Sequence, residues 1–106
     1  MAQQTNRHYK QKFDMNYVKR YIDNANKELV KASKRINTLI SQKNRQLDFL
    51  DRSYEECWAY PDYEEKSEMY SDKIFEVQKE IEQMDEIKDF LDRAIEINNE
   101  FKNIIE

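Results

Sequence analysis

The sequence predicts an all-α chain: two long amphipathic helices folded back as an antiparallel, coiled-coil-like hairpin. A second copy or a partner is expected to complete it to a four-helix bundle. Three observations carry that expectation. Glycine is absent and proline occurs once, so the chain lacks the residues that punctuate sheets and tight turns. Apolar side chains recur at spacings of three and four in two separate stretches, which is the period of a helix face. The charge also divides in the middle. Residues 1–52 carry 12 Lys and Arg against 5 Asp and Glu, a net of +7, whereas residues 53–106 carry 6 against 17, a net of −11. Folding the basic half onto the acidic half places opposite signs along the seam edges, which parallel self-pairing would not do. Each exposed pair contributes only a few tenths of a kcal/mol, so charge selects the arrangement more than it stabilises it.

At 106 residues the chain has room for one domain. Its 38% charged residues exceed the share of an ordinary compact globule, while 12% aromatic residues are too many for a disordered chain. No run of 18 apolar residues occurs, so no membrane span is expected. The first residues lack the apolar stretch of a signal peptide. The expectation is a cytoplasmic protein whose export, if any, uses no cleavable leader. One cysteine, Cys57, and one histidine, His8, rule out an internal disulfide, a multi-cysteine metal site and a histidine cluster. No cofactor and no metal are expected.

Residues 1–12 are polar and read as a flexible basic tail. A first helix is predicted over 13–57, with Asp14 beside its start as a cap or dipole partner. Its seam runs through Val18, Ile22, Ala25, Leu29, Ala32 and Ile36, then Ile40, Lys43, Leu47, Leu50, Tyr54 and Cys57. The step from Ile36 to Ile40 repeats a spacing of four, a stutter that should locally unwind the supercoil. Pro61 disfavours helix at Tyr60 and cannot sit in a helix interior, which places the turn at 58–62. Asp62 with Glu65 resembles a capping box for a second helix over 63–106. Ser53 with Glu56 is another such match and leaves open a break near Arg52 with a short intervening helix. The second stripe comprises Tyr70, Ile74, Val77, Ile81, Met84, Ile87, Leu91, Ala94, Asn98, Phe101 and Ile105, with a doubled step of three at Met84 and Ile87. Phe75, Phe90, Ile95, Ile97 and Ile104 broaden it, and a face wider than a bare seam wants more than one neighbour helix.

The candidate functional residues follow from this layout, and none is catalytic. No Gly-rich phosphate loop, nucleophile elbow or zinc signature occurs, and two packed rods offer no concave pocket. His8 has no Asp, Cys or second His beside it and reads as a solvated residue. Asp85, Glu86, Asp89 and Asp92 lack the Glu-x-x-His partner pattern of a di-metal bundle and read as a solvated or ion-paired face. Lys27, Lys31, Lys34, Arg35, Lys43 and Arg45 would suit phosphate, but the domain is net acidic, so no nucleic acid is expected. Glu55 and Glu56 disfavour a reactive Cys57 thiolate. A partner helix lying along the groove between the stripes would be anchored by Ile40, Leu47, Val77, Ile81 and Ile87, apolar residues at helical spacing. At the tip, Trp58 and Tyr60 are either a recognition knob or the plug of the hairpin's closed end.

Two helices of equal length in a chain of this size, joined by a turn reading Trp58-Ala59-Tyr60, resemble the WXG100 proteins of type VII secretion. The resemblance is greatest to the small helical accessory proteins encoded beside LXG-domain toxins in Gram-positive bacteria. Tyr60 stands where that family has glycine. The family's Tyr-x-x-x-Asp/Glu export signal, usually placed after the second helix, is matched only by Tyr60 and Glu64 in the turn. The resemblance implies a dedicated chaperone that packs against the helical LXG domain and helps present it to the secretion machine, with Trp58, Tyr60 and Glu64 as secretion recognition residues. A scaffolding coiled-coil protein of phage type and a small inhibitor of a larger host protein are the alternative readings of the same bundle.

Overall fold

A computed structural model of the chain describes residues 15–105. Two α-helices of 43 residues each, α1 (Met15–Cys57) and α2 (Tyr63–Ile105), pack against each other as a hairpin, and no strand occurs among the described residues. The expected tail, the first helical residues Phe13 and Asp14, and Glu106 lie outside the described residues.

The turn falls at 58–62, where Pro61 puts it. Two of the last α1 carbonyls are satisfied by short-range bonds, with Ala59 N–H donating to Glu56 O at 3.2 Å and Tyr60 N–H to Cys57 O at 3.1 Å. Asp62 is the N-cap of α2: its carbonyl accepts the bond from Lys66 N–H at 3.1 Å. Glu64 and Glu65 in the first turn and Lys102 in the last complement the α2 dipole. The alternative break near Arg52 does not form. Helix α1 continues through Ser53 to Cys57, because one further turn brings Tyr54 and Cys57 onto the inward face, where Cys57 is buried.

The described residues form two compact units, 15–32 with 91–105, and 33–90. In the first, Ile22, Asn26 and Leu29 on α1 are half-buried, as are Leu91, Ile95, Asn98, Lys102 and Ile105 on α2. Asn26 bridges the helices twice. Its Oδ1 accepts from Asn98 Nδ2 at 2.9 Å and its Nδ2 donates to Asn99 Oδ1 at 3.1 Å. Three residues earlier, Asp23 pairs with Lys102 at 2.5 Å. Residue numbers fall on α2 as they rise on α1, so the pair is antiparallel.

The second unit contains the turn and the buried residues Leu50, Cys57 and Val77. Half-buried positions extend this core through Ser33, Ile36, Ile40, Lys43, Leu47 and Tyr54 on α1 and Tyr70, Ile74, Ile81, Met84 and Lys88 on α2. Lys43 Nζ pairs with Glu80, and both side chains are largely covered. Burying one Val or Leu side chain contributes roughly 1.5–3 kcal/mol, so this seam of many partly covered residues is the main source of cohesion.

The burial pattern corrects the seam expected from apolar residues alone. On α1 the inward positions are 22, 26, 29, 33, 36, 40, 43, 47, 50, 54 and 57. Taken through Ser33 the spacing alternates between four and three without a break, and taken through Ala32, which is equally half-buried, it keeps the doubled step of four at Ile36–Ile40. Asn26 takes the place assigned to Ala25, which is exposed, while Ala32 and Ser33 are both half-buried. On α2 the positions 70, 74, 77, 81, 84, 88, 91, 95, 98, 102 and 105 alternate in the same way, with Lys88 and Lys102 in place of Ile87 and Phe101. Polar side chains can hold seam positions because partners satisfy them, as Asn98 and Asn99 satisfy Asn26 and Asp23 satisfies Lys102.

Candidate functional site: outer apolar faces and the tip

A two-helix hairpin buries one side of each helix, and what remains outside is the candidate surface. Four of the five expected anchors are inside. Val77 is 4% exposed, and Ile40, Leu47 and Ile81 are half-buried in the same unit. These residues hold the hairpin's own helices together. Ile87 alone of the five is exposed, at 47%.

The exposed apolar residues in the second unit are Phe49, Met69, Phe75, Ile87 and Phe90, together with residues at the tip. Phe75 lies beneath Lys79 Nζ, 5.2 Å from the ring centroid, a cation–π contact that leaves most of the residue open to solvent. In the first unit Tyr21, Ile97, Phe101 and Ile104 are exposed, Ile104 at 80%. Phe75, Phe90, Ile97 and Ile104, which the sequence expectation placed beyond the bare seam, are all exposed. Ile87, Phe90, Ala94, Ile97, Phe101 and Ile104 repeat at three and four in their own right. Ile87 and Phe101, expected on the inner stripe, belong to this outer set.

At the tip Trp58 is both packed and open to solvent. Its ring packs edge-on against Tyr54 at 5.8 Å and tilted against Tyr63 at 5.4 Å, yet half of the residue is open to solvent. Tyr60 is exposed beneath Lys66 Nζ, 4.9 Å from its centroid, and the same ammonium lies 3.6 Å from Asp62. Glu64 is exposed and receives the Tyr63 hydroxyl at 3.5 Å. Cys57 is 2% exposed, and its thiol donates to Tyr54 O at 3.0 Å. Ser53, Glu56, Cys57, Tyr60, Lys66 and Tyr70 line an open depression of about 300 Å³, a feature the expectation of a pocketless hairpin did not include.

The charged sets are distributed over solvent-facing positions. Lys27, Lys31, Lys34, Arg35 and Arg45 are exposed, and so are Asp85, Glu86 and Asp89, while Asp92 is half-buried. Among the described residues no three His, Cys, Asp or Glu side chains form a metal-ligating group, and no helix is long and apolar enough to cross a membrane. His8 lies outside the described residues. One phenol is perturbed: the Tyr21 hydroxyl is raised from its ordinary value by its hydrogen bond with Tyr17, 2.9 Å away, and secondarily by desolvation. No family model matches the sequence, and comparisons with curated proteins and with solved structures give no match either.

Proposed function

We propose that this chain is a non-catalytic helical binding protein that packs against a helix of another protein. The observation that supports the reading is the outer apolar surface of α2, where Ile87 and Phe90 face solvent beside a seam that is already filled. Apolar side chains at helical spacing outside a completed core are the anchors of helix-on-helix recognition. The resemblance to the accessory partners of type VII-secreted LXG toxins names the kind of target: a large toxin's helical targeting domain, bound in the cytoplasm before export. The partner helix then rests on Ile87 and its exposed neighbours. Ile40, Leu47, Val77 and Ile81 act indirectly, by keeping the hairpin closed.

Co-expression with an LXG domain encoded in the same gene neighbourhood tests the proposal. A complex that survives size-exclusion chromatography, and that Ile87→Asp with Phe90→Asp disrupts while helicity is retained, is the expected result. Absence of a complex with any such neighbour removes the secretion reading. A neighbourhood of capsid and portal genes would replace it with a scaffold.

A further inference from the structure

The first unit is less committed to its seam than the second. The buried residues Leu50, Cys57 and Val77 all lie in 33–90, and among the described residues none of 15–32 or 91–105 is buried. The half-buried seam of the first unit consists of two columns. Ile22 and Leu29 on α1, with Leu91, Asn98 and Ile105 on α2, form one. Lys19, Asn26, Ile95 and Lys102 form the other. The first column fits a second seam equally well. Moving each member of the other column back by one residue gives Val18, Ala25, Ala94 and Phe101, and the spacing of three and four is kept. That exchange is a turn of roughly 50° about each helix axis, half the angle between successive residues. Asp23 and Asn99, which pair with Lys102 and Asn26, mark one edge of the present seam. Val18, Ala25, Ala94 and Phe101 share the opposite edge, so counter-rotation of the two helices brings all four inward with no change of register.

The two seams are held by different forces. Three of the four side chains in the present column are polar, whereas the second column is apolar throughout. Two hydrogen bonds from Asn26, at 2.9 and 3.1 Å, and the Asp23–Lys102 pair at 2.5 Å favour the present seam. These contacts compete with water, because the Lys102 and Asp23 side chains are 29% and 47% exposed, and such contacts contribute modestly. Burial of Phe101, now half-open to solvent, favours the second seam. Asn98, common to both, loses its Asn26 partner there, which opposes the change. Gains and losses of similar size leave two packings of one sequence close in free energy. Ala94 is already half-buried beside Ile95, so the present face of α2 lies partway towards the second.

We propose that the first unit is a two-position switch, in which counter-rotation of α1 and α2 exchanges Lys19, Asn26, Ile95 and Lys102 for Val18, Ala25, Ala94 and Phe101 in the seam. The rotation changes the outer surface from one that displays Phe101 to one that displays Asn26 and Lys102. It is confined to the first unit and does not rest on the partner helix proposed at Ile87, so the two proposals fail separately. Fluorine NMR of the full chain with 4-fluorophenylalanine in place of Phe101 tests it, through the shift between H2O and D2O that the ring shows only where water reaches it. Asn26→Asp with Lys102→Glu gathers like charge around Asp23 in the present seam and should abolish that solvent shift. Adding Ala25→Glu, harmless where position 25 is exposed but costly in the second seam, should restore it. Raising the salt concentration, which screens Asp23–Lys102, should reduce it in the chain without these substitutions. Leu29→Cys in a Cys57→Ser background reports the shared column. Its thiol should react slowly with or without Asn26→Asp and Lys102→Glu, since rotation keeps position 29 covered. A ring that stays exposed in the doubly acidic variant overturns the proposal, as does one that Ala25→Glu fails to release or that salt leaves unchanged. Fast reaction of the position-29 thiol in that variant also overturns it, by showing that the helices separate. Protection of the ring that grows with protein concentration overturns it too, by showing that another molecule covers Phe101.

Discussion

Asn26 shows why a seam position need not be apolar. It is half-buried, and its amide is matched at both ends by Asn98 and Asn99. Such a side chain costs stability relative to an aliphatic one but penalises any slipped pairing, which would leave an amide unmatched. Replacing the pair, Asn26→Leu with Asn98→Leu, should raise the thermal midpoint and broaden the distribution of oligomeric states. A lowered midpoint, read by circular dichroism, would show that the amides stabilise the pairing rather than specify it. Tyr21 offers a pH-dependent readout at the same scale. Its phenol is raised by the Tyr17 hydrogen bond first and by desolvation second. A raised folded-state value means that the associated stability is fully present below the ordinary tyrosine value of about 10 and is lost as pH rises through the folded value. Tyr17→Phe should return the Tyr21 titration towards the ordinary value, as followed by ring-carbon NMR. An unmoved titration would remove the hydrogen bond as its cause.

At the scale of the helices, inner and outer stripes make opposite predictions. Val77→Asp puts an unpaired carboxylate into the most covered part of α2 and should cost roughly 3–5 kcal/mol, enough to lower helicity. Ile87→Asp lies outside the seam and should change stability by no more than about 0.5 kcal/mol. Urea titration monitored at the helix band separates them, and equal losses would mean that the outer stripe is part of the folding core. Element identity and the turn were legible in the sequence, because lack of glycine, one proline and a 3–4 repeat are local properties. Which of two adjacent 3–4 registers faced inward was not legible. Ala25 and Asn26, or Ile87 and Lys88, differ by one position, and hydrophobicity favours the wrong member of each pair. Hydrogen bonds and an ion pair from the other helix decide for Asn26 and Lys102.

For the whole molecule, the proposed function assigns folding to the inner seam and binding to the outer faces and tip. Trp58 is half-exposed and held by Tyr54 and Tyr63, so Trp58→Ala should cost about 1 kcal/mol through lost ring contacts and leave the helices formed. Under the proposed function it should preserve the toxin complex and impair delivery, measured as toxin in the culture supernatant. Loss of the complex with unchanged helicity would move the partner surface to the tip.

By itself the sequence determined that the chain is two helices joined at Pro61 and that the basic half meets the acidic half. Periodicity, proline geometry and net charge need no knowledge of distant contacts. Only the tertiary structure decided which side of each helix is spent on the hairpin. The buried set, Leu50, Cys57 and Val77 with their half-buried neighbours, is fixed by pairing between residues far apart in the chain. Such pairing lets Asn26 and Lys102 face inward, because their partners lie on the opposite helix, and turns Phe101 and Ile104 out to solvent.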